Sequence, residues 1–403
     1  MNEKPILNRP VLATRIAKQI VNVSPTSAAS SGLFVAAPRR TGKTTFMRQD
    51  LMPALQAMDA LVIYVDLWAD KSANPSDVIV RAITNELSKH KNALMKIAGI
   101  LGVSGGKIAG VEFSLANIGM GKDISLVSAL TALSDAEEKV IVLIIDEAQH
   151  AITTQEGSDA MFSLKAARDE INGNGHFGLR VVCTGSNRDK LAMLRNSKDQ
   201  AFFGAPLVPF PPLGKDYVEW FCAQTNDLPM AVEVDFVMPL FEKSGNRPEI
   251  LNAAADVIRL DFTIDEEDVL KRFADEVNQQ IRASNTELMR VAHSLTPLQR
   301  AVLTVMAAGG ARYAPFEEAT MKKYALANAR AGEKELNFDV PGVQQALAAL
   351  QQHGLVWKAA RGVYSIEDVA LTDQLRVDGA LEGLYPDETD SSDPHEVTNA
   401  PLP

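Results

Sequence analysis

Three short clusters in this sequence have residue types and spacings that could do chemistry. The first is Ala37 to Thr44, A-P-R-R-T-G-K-T, which follows the pattern G-x-x-x-x-G-K-[ST] with alanine in the first place. A loop of this kind turns backbone N–H groups inward onto phosphates, and a side chain at Gly42 would obstruct their approach. Lys43 has the charge and reach for the β- and γ-phosphates, and the Thr44 hydroxyl is a ligand for Mg²⁺. The candidate contacts to a nucleotide therefore run through Ala37, Pro38, Arg39, Arg40, Thr41, Gly42, Lys43, Thr44 and Thr45. Arg39 and Arg40 have no assigned task; they face a neighbouring subunit or solvent.

The second cluster is Asp146-Glu147, directly after the apolar run Val140 to Ile145. An aspartate at the end of a buried strand can hold Mg²⁺ through water, and a glutamate beside it can orient and deprotonate an attacking water. The third is the polar string Thr184-Gly185-Ser186-Asn187-Arg188, in which Asn187 is the first candidate for touching a γ-phosphate or a water, with Thr184 and Ser186 next. Farther on, Ser244-Gly245-Asn246-Arg247-Pro248 puts Arg247 at a helix start. A cation there opposes the helix dipole, and an anionic partner such as a γ-phosphate would explain it, with a surface arginine as the alternative.

These clusters need a scaffold that brings them to one edge. Leu33 to Ala37 is an apolar strand entering the loop, and the helix after it reads from Thr44 to Met58, uninterrupted until Pro53. A second strand, Leu61 to Leu67, precedes a long helix from Pro75 to Ile97, so the chain repeats a βαβ pattern. Val140 to Ile145 reads as a central parallel strand buried on both faces, and ligands bind such sheets beyond the carboxyl ends of their strands. Further strands are expected at Leu179 to Thr184 and Ala205 to Phe210. Between 98 and 121 a glycine-rich insert includes the alternation Val111 to Leu115, which suggests a strand or hairpin.

After Leu213 the pattern is helical, with helices at Lys215 to Gln224, Phe236 to Lys243, Pro248 to Leu260 and from Glu266 onward. From Thr296 three helices, the last of them Val343 to Gln352, and two short strands have the layout of a winged helix. Between Leu295 and Thr372 eight basic residues face seven acidic ones, and Val343 to Gln352 carries no charge. DNA binding through base-edge contacts and a purely docking role both remain open for that domain. Residues Val377 to Pro403 contain seven acidic residues and no lysine or arginine, the composition of a disordered extension.

The whole chain is 403 residues long, 46% apolar and carries a net charge of −11, much of it in that tail. Its two cysteines, Cys183 and Cys222, have no metal-ligand spacing and read as buried residues in a reducing compartment. No apolar run spans a bilayer and no secretory leader is visible, so a soluble, cytoplasmic protein without a membrane partner is expected.

With loop, Asp-Glu strand, polar strand end, helical lid and winged helix in order, residues 6 to 370 resemble the AAA+ P-loop ATPases. The similarity is to the archaeal-type and replication-initiator-like group, whose loops often read P-R-R-x-G-K-T, as Pro38 to Thr44 do. It implies an α/β fold with a P-loop NTPase parallel-sheet core at 1–213, a helical lid at 214–294, a winged-helix domain at 295–376 and a tail at 377–403. It also implies ATP and Mg²⁺ as cofactors, Asn8 and Arg9 near the adenine, Asp146 and Glu147 as the Walker B pair, Asn187 as sensor 1 and Arg247 as the lid arginine. Such ATPases often assemble on ATP binding and take an arginine finger from the next subunit; Arg195 fits that place, with Lys198 a poorer substitute. The implied function is an ATP-hydrolysing switch or motor acting on DNA or a protein partner. A signalling switch of the STAND type, with slow turnover, is the alternative.

Overall fold

The computed structural model describes residues 5–24, 26–37, 40–70, 72–100, 118–119, 122, 124–173, 175–186, 188–196, 198–360, 362–367 and 369–385. Pro38, Arg39, Asn187, the alternation Val111 to Leu115 and everything after Tyr385 lie outside them. The chain divides into two units, Met1–Ser284 and Asn285–Pro403.

The first unit is built on five parallel strands: β1 (Leu33–Ala36), β2 (Leu61–Asp66), β3 (Ile141–Asp146), β4 (Leu179–Gly185) and β5 (Leu207–Pro209), ordered β2-β3-β4-β1-β5. Strand alternation sends side chains to two separate cores. Ile141, Leu143 and Ile145 face one cluster, formed with α4 (Pro75–Leu87), α5 (Lys91–Ile100), α6 (Leu126–Glu137) and α7 (Gln155–Gly173). Val142 and Ile144 face the other, formed with α1 (Pro10–Val21), α2 (Lys43–Phe46) and α3 (Met52–Gln56). Every residue of β3 is buried, as its unbroken apolar run requires of a strand covered on both sides. Truncating Ile144 to alanine in such a core costs about 2–5 kcal/mol. The sheet thus belongs to an α/β layered core that fits a P-loop NTPase.

Two helices differ from the sequence reading. The helix after the loop runs on past Pro53 as expected, but α2 reaches α3 through one π-helical turn, Met47–Leu51. Pro53 has no N–H to give the preceding turn, and the wider turn just before it accommodates the ring and the missing donor. The helix expected from Pro75 to Ile97 is two, α4 and α5, broken at Ser88 to His90. There the Ser88 hydroxyl bonds back to the Asn85 carbonyl at 2.7 Å, and the break lets Leu87, Ala93 and Ile97 all reach the core. Asn74 caps α4 by accepting from Ser76 N, with Pro75 at the first position.

After a five-residue helix α8 (Arg188–Ala192) and β5, the chain forms α9 (Lys215–Gln224), α10 (Val234–Lys243), α11 (Pro248–Leu260) and α12 (Val269–His293). Tyr217, Phe221, Phe241 and Phe273 centre their core, with Tyr217 and Phe241 stacked at 5.0 Å.

The second unit has α13 (Pro297–Gly309), α14 (Glu318–Arg330), α15 (Val340–Gln352), the antiparallel pair β6 (Val356–Ala360) and β7 (Val363–Ile366), and α16 (Val369–Val377). Thr296 and Gln299 form a reciprocal capping box at the start of α13. Residues 378–385, which composition assigns to the extension, pack instead: Leu384 is buried, and the Tyr385 ring lies 3.4 Å from Lys323 Nζ. Two leucines and a tyrosine anchor this stretch against the unit's core, a signal that charge averaged over the tail conceals.

Among the described residues no helix is long and apolar enough to cross a membrane. Cys183 is buried in the sheet and Cys222 partly buried, both as free thiols.

Candidate active site

The sheet order sets β1 between β4 and β5, and β4 between β1 and β3, so the ends of β1, β3 and β4 open at one edge. Ala37 N donates to Gly185 O at 3.1 Å and pins the start of the loop to the end of β4. Arg40 (φ 64°) and Gly42 (φ 80°) are left-handed, and the turn at Gly42 launches α2. A cavity of about 340 Å³ opens there, formed by Arg40 to Thr45 with Trp68 and Glu147. The Trp68 indole in turn packs against His150 with ring centres 4.3 Å apart.

Behind the cavity the three clusters meet. Lys43 Nζ donates to Asp146 Oδ1 at 2.8 Å, to Glu147 Oε1 at 2.9 Å and to Thr184 Oγ1 at 3.3 Å. Thr44 Oγ1 donates to Asp146 Oδ2 at 2.7 Å, and Tyr64 OH donates to the same oxygen at 3.0 Å. The Thr184 hydroxyl donates to Asp146 Oδ1. With the Glu147 backbone N–H at 3.1 Å, this carboxylate receives donors on every side. Glu147 stands in the left-handed region at φ 53°, a costly place for a side chain longer than glycine's. Its Oε2 accepts from Gln149 Nε2 at 2.6 Å and from Ser186 Oγ at 2.9 Å.

Burial alone would lift the Asp146 carboxyl, but the Lys43 charge and the hydrogen bonds from Lys43, Thr184 and Thr44 outweigh it and hold it down to about 2. Glu147 follows the same balance: burial raises it, the Lys43 charge and hydrogen bonds prevail, and it too sits below the usual glutamate range. Burial, reinforced by the charge of Asp146, pushes the Tyr64 phenol up, so Tyr64 is a constant donor.

The remaining predicted residues fall in different places. The Arg9 guanidinium donates to the carbonyls of Pro211 and Pro212 at 3.0 and 3.2 Å, and its backbone N–H donates to Asp50 at 2.8 Å. These contacts tie the N-terminal segment to the connection between β5 and α9; Asn8 is exposed beside it. Arg195 lies in the turn after α8, half-buried, with Nη1 donating to Asn196 at 3.1 Å, and Lys198 is exposed. Neither lines the cavity. Arg247 occupies the N-cap position of α11 without a capping side-chain bond, and its Nε donates to Ser244 O at 2.9 Å. Its expected conflict with the helix dipole is met within the protein, because Glu249 in the first turn of α11 stands 3.9 Å away. Glu249 Oε1 is also 3.9 Å from Arg40 Nη1, so one carboxylate spans Arg40 of the loop and Arg247 at the start of α11. Both Glu249 oxygens are buried and accept no hydrogen bond among the described residues.

Sequence reasoning missed Tyr64, Gln149 and Glu249. Tyr64 reads as a core aromatic in an alternating strand, and Gln149 lies two residues past Glu147 in a 3₁₀ turn that no apolar periodicity marks.

The donors fit a divalent cation of the Mg²⁺ kind. A hydroxyl and a carboxylate, Thr44 and Asp146, are hard oxygen ligands 2.7 Å apart. No three His, Cys, Asp or Glu side chains gather into a metal cage among the described residues. Mg²⁺ needs none, since it keeps waters and shares phosphate oxygens with one or two protein ligands.

Residues 28–191 match the protein family described as an AAA domain. The resemblance to AAA+ ATPases read from the sequence holds over this segment. The fold is similar to that of the Walker-type ATPase paby2304 of Pyrococcus abyssi, with 17% identity, 93% of this chain and 99% of that chain covered, and a TM-score of 0.51. It is also similar to the ORC2 protein of Aeropyrum pernix in its ADP form, with 15% identity, 94% and 96% covered, and a TM-score of 0.53. No curated protein matches the chain.

Proposed function

From an AAA domain at residues 28–191, we propose that this chain is an ATP-hydrolysing molecular switch that couples Mg-ATP turnover to engagement of DNA or a protein partner. One observation carries the proposal: Lys43 and Thr44 from the loop, Asp146 and Glu147 at the end of β3, and Thr184 and Ser186 at the end of β4 form one hydrogen-bonded cluster beside the cavity.

Lys43 and the inward N–H groups of the loop hold the phosphates of ATP, and the positive end of α2 adds to the attraction. Thr44 and Asp146 would hold Mg²⁺, which supplies neutralisation of the phosphate charge. Glu147, kept ionised by its surroundings, accepts a proton from a water as that water attacks the γ-phosphorus; the bond to the β-phosphate oxygen breaks, giving ADP and phosphate. Thr184 and Ser186 at the end of β4, and Asn187 next in the sequence, are the polar groups for orienting that water. Arg247 answers to the phosphate charge from the lid, and Arg195 serves a neighbouring subunit in an ATP-dependent homo-oligomer. The second unit, in which α13, α14 and α15 precede the β6–β7 hairpin, is a winged helix that meets DNA or a protein. The protein acts in the cytoplasm.

The slow, STAND-type switch is favoured by a single contact. Lys43 pairs with Glu147 itself at 2.9 Å, so the ammonium that serves the phosphates also neutralises the base.

Steady-state turnover decides between them and tests the base. Glu147→Gln should bind ATP as the natural protein does and lose about 100-fold or more in turnover. Full activity in that variant sinks the assignment. A gel shift that weakens with salt tests DNA engagement, and mass measured with and without Mg-ATP tests assembly. No shift at low salt points to a protein partner, and a monomer in both states removes the trans role of Arg195.

A further inference from the structure

Glu147 is held by a side chain that the proposed reaction does not use. Gln149 is 1% exposed, two residues further along in a 3₁₀ turn, and its Nε2 donates to Glu147 Oε2 at 2.6 Å. Ser186 Oγ reaches the same oxygen at 2.9 Å, while Lys43 takes Oε1. The direction of the Gln149 amide is fixed by chemistry, since its oxygen turned toward Glu147 would face a carboxylate. That oxygen, Oε1, instead points at Gly185, the last residue of β4. A Cβ on Gly185 would come within 2.5 Å of it, so Gln149 takes this position only because residue 185 has no side chain.

A fully buried amide with its carbonyl unpartnered among the described residues is an expensive way to fill a core. A leucine or methionine would pack there without a desolvated polar group. Glu147 is itself in a strained backbone conformation, and a carboxylate on a left-handed residue needs external restraint to keep one orientation. Gln149 supplies that restraint from one side and Ser186 from the other.

We propose that Gln149 is a positioning residue for ATP hydrolysis: its amide N–H fixes the Glu147 carboxylate in the orientation that accepts a proton from water, in a notch that Gly185 leaves open. The inference rests on Glu147 being the base. It extends that reading to a residue that touches neither nucleotide nor water.

The test compares turnover and ATP affinity across Gln149→Met, Gln149→His and Gly185→Ala in the full chain. Gln149→Met keeps size and removes the donor; turnover should fall about 10- to 100-fold, the effect of losing a group that orients a reacting one, with the Kd for ATP unchanged. Gln149→His restores a donor and should recover part of the loss. Gly185→Ala forces the amide out of its notch and should resemble Gln149→Met. In a Glu147→Gln background, Gln149→Met should cause no further loss, because nothing is left to position. If Glu147→Gln loses turnover but Gln149→Met does not, or if Gln149→His is no better than Gln149→Met, the inference is overturned. If Glu147→Gln itself stays active, the assignment of the base fails instead.

Discussion

Lys43 Nζ lies 2.8 Å from Asp146 Oδ1, although 103 residues separate the two in the chain. Both groups are almost fully buried, Lys43 at 5% and Asp146 at 1% exposure. Two charges tolerate such burial only as a pair with further hydrogen bonds, which Thr44, Tyr64 and Thr184 provide. The pair therefore joins the loop to the central strand as well as equipping the site.

The burial of this pair makes stability depend on acid. The Asp146 carboxyl is held down to about 2 in the folded chain, against 3.8 for an ordinary aspartate. A depressed folded value contributes stability that is present above the unfolded value and lost as pH falls through the folded one. In metal-free buffer the loss should run from about pH 4 to about pH 2 and amount to about 2 kcal/mol, with Glu147 adding in the same direction. Chemical denaturation across that range, compared with Asp146→Asn, measures it. The variant should be less stable at pH 7 and show a flatter dependence; an equal slope in both proteins would contradict the assignment.

Glu249 makes a second prediction. Its carboxylate spans Arg40 and Arg247 at 3.9 Å each, close to where phosphate charge is proposed to bind. Arg40 is 71% exposed, so the contact adds under about 0.5 kcal/mol to stability. Its influence falls on the ligand: Glu249→Gln removes a negative charge that competes for both arginines, and ATP affinity should rise about threefold or more, roughly 0.7 kcal/mol. Calorimetric titration reads this directly. Unchanged or weaker binding would mean that these arginines do not answer to phosphate.

Much of this site was legible in the sequence because its parts sit where strands end. The run Val140 to Ile145 had to be a central strand, so Asp146 and Glu147 had to emerge at its carboxyl edge. The spacing around Gly42 and Lys43 announced a loop that turns into a helix. Contacts made across the fold were not legible. Tyr64 alternates like any core residue, and only the pairing of β2 with β3 brings its hydroxyl to Asp146. Gln149 reaches Glu147 because a 3₁₀ turn folds the chain back, a local geometry that apolar periodicity does not encode. Glu249 belongs to a helix start whose partner is a loop some two hundred residues earlier. Arg247 shows the converse: its conflict with the helix dipole points to an anion, and the chain also places Glu249 3.9 Å away, a contact between neighbours on one helix start that the dipole argument does not single out.

Binding of Mg-ATP to Lys43→Ala, measured by calorimetry beside the natural protein, tests the central claim most directly. Titration of Lys43→Met, with a stem of similar length and no charge, separates lost binding from lost folding, and circular dichroism on both variants reports the fold. The natural protein should bind Mg-ATP, and folded variants at Lys43 should lose at least about tenfold in affinity, or 1.4 kcal/mol. Equal affinity in a folded Lys43 variant would contradict the account.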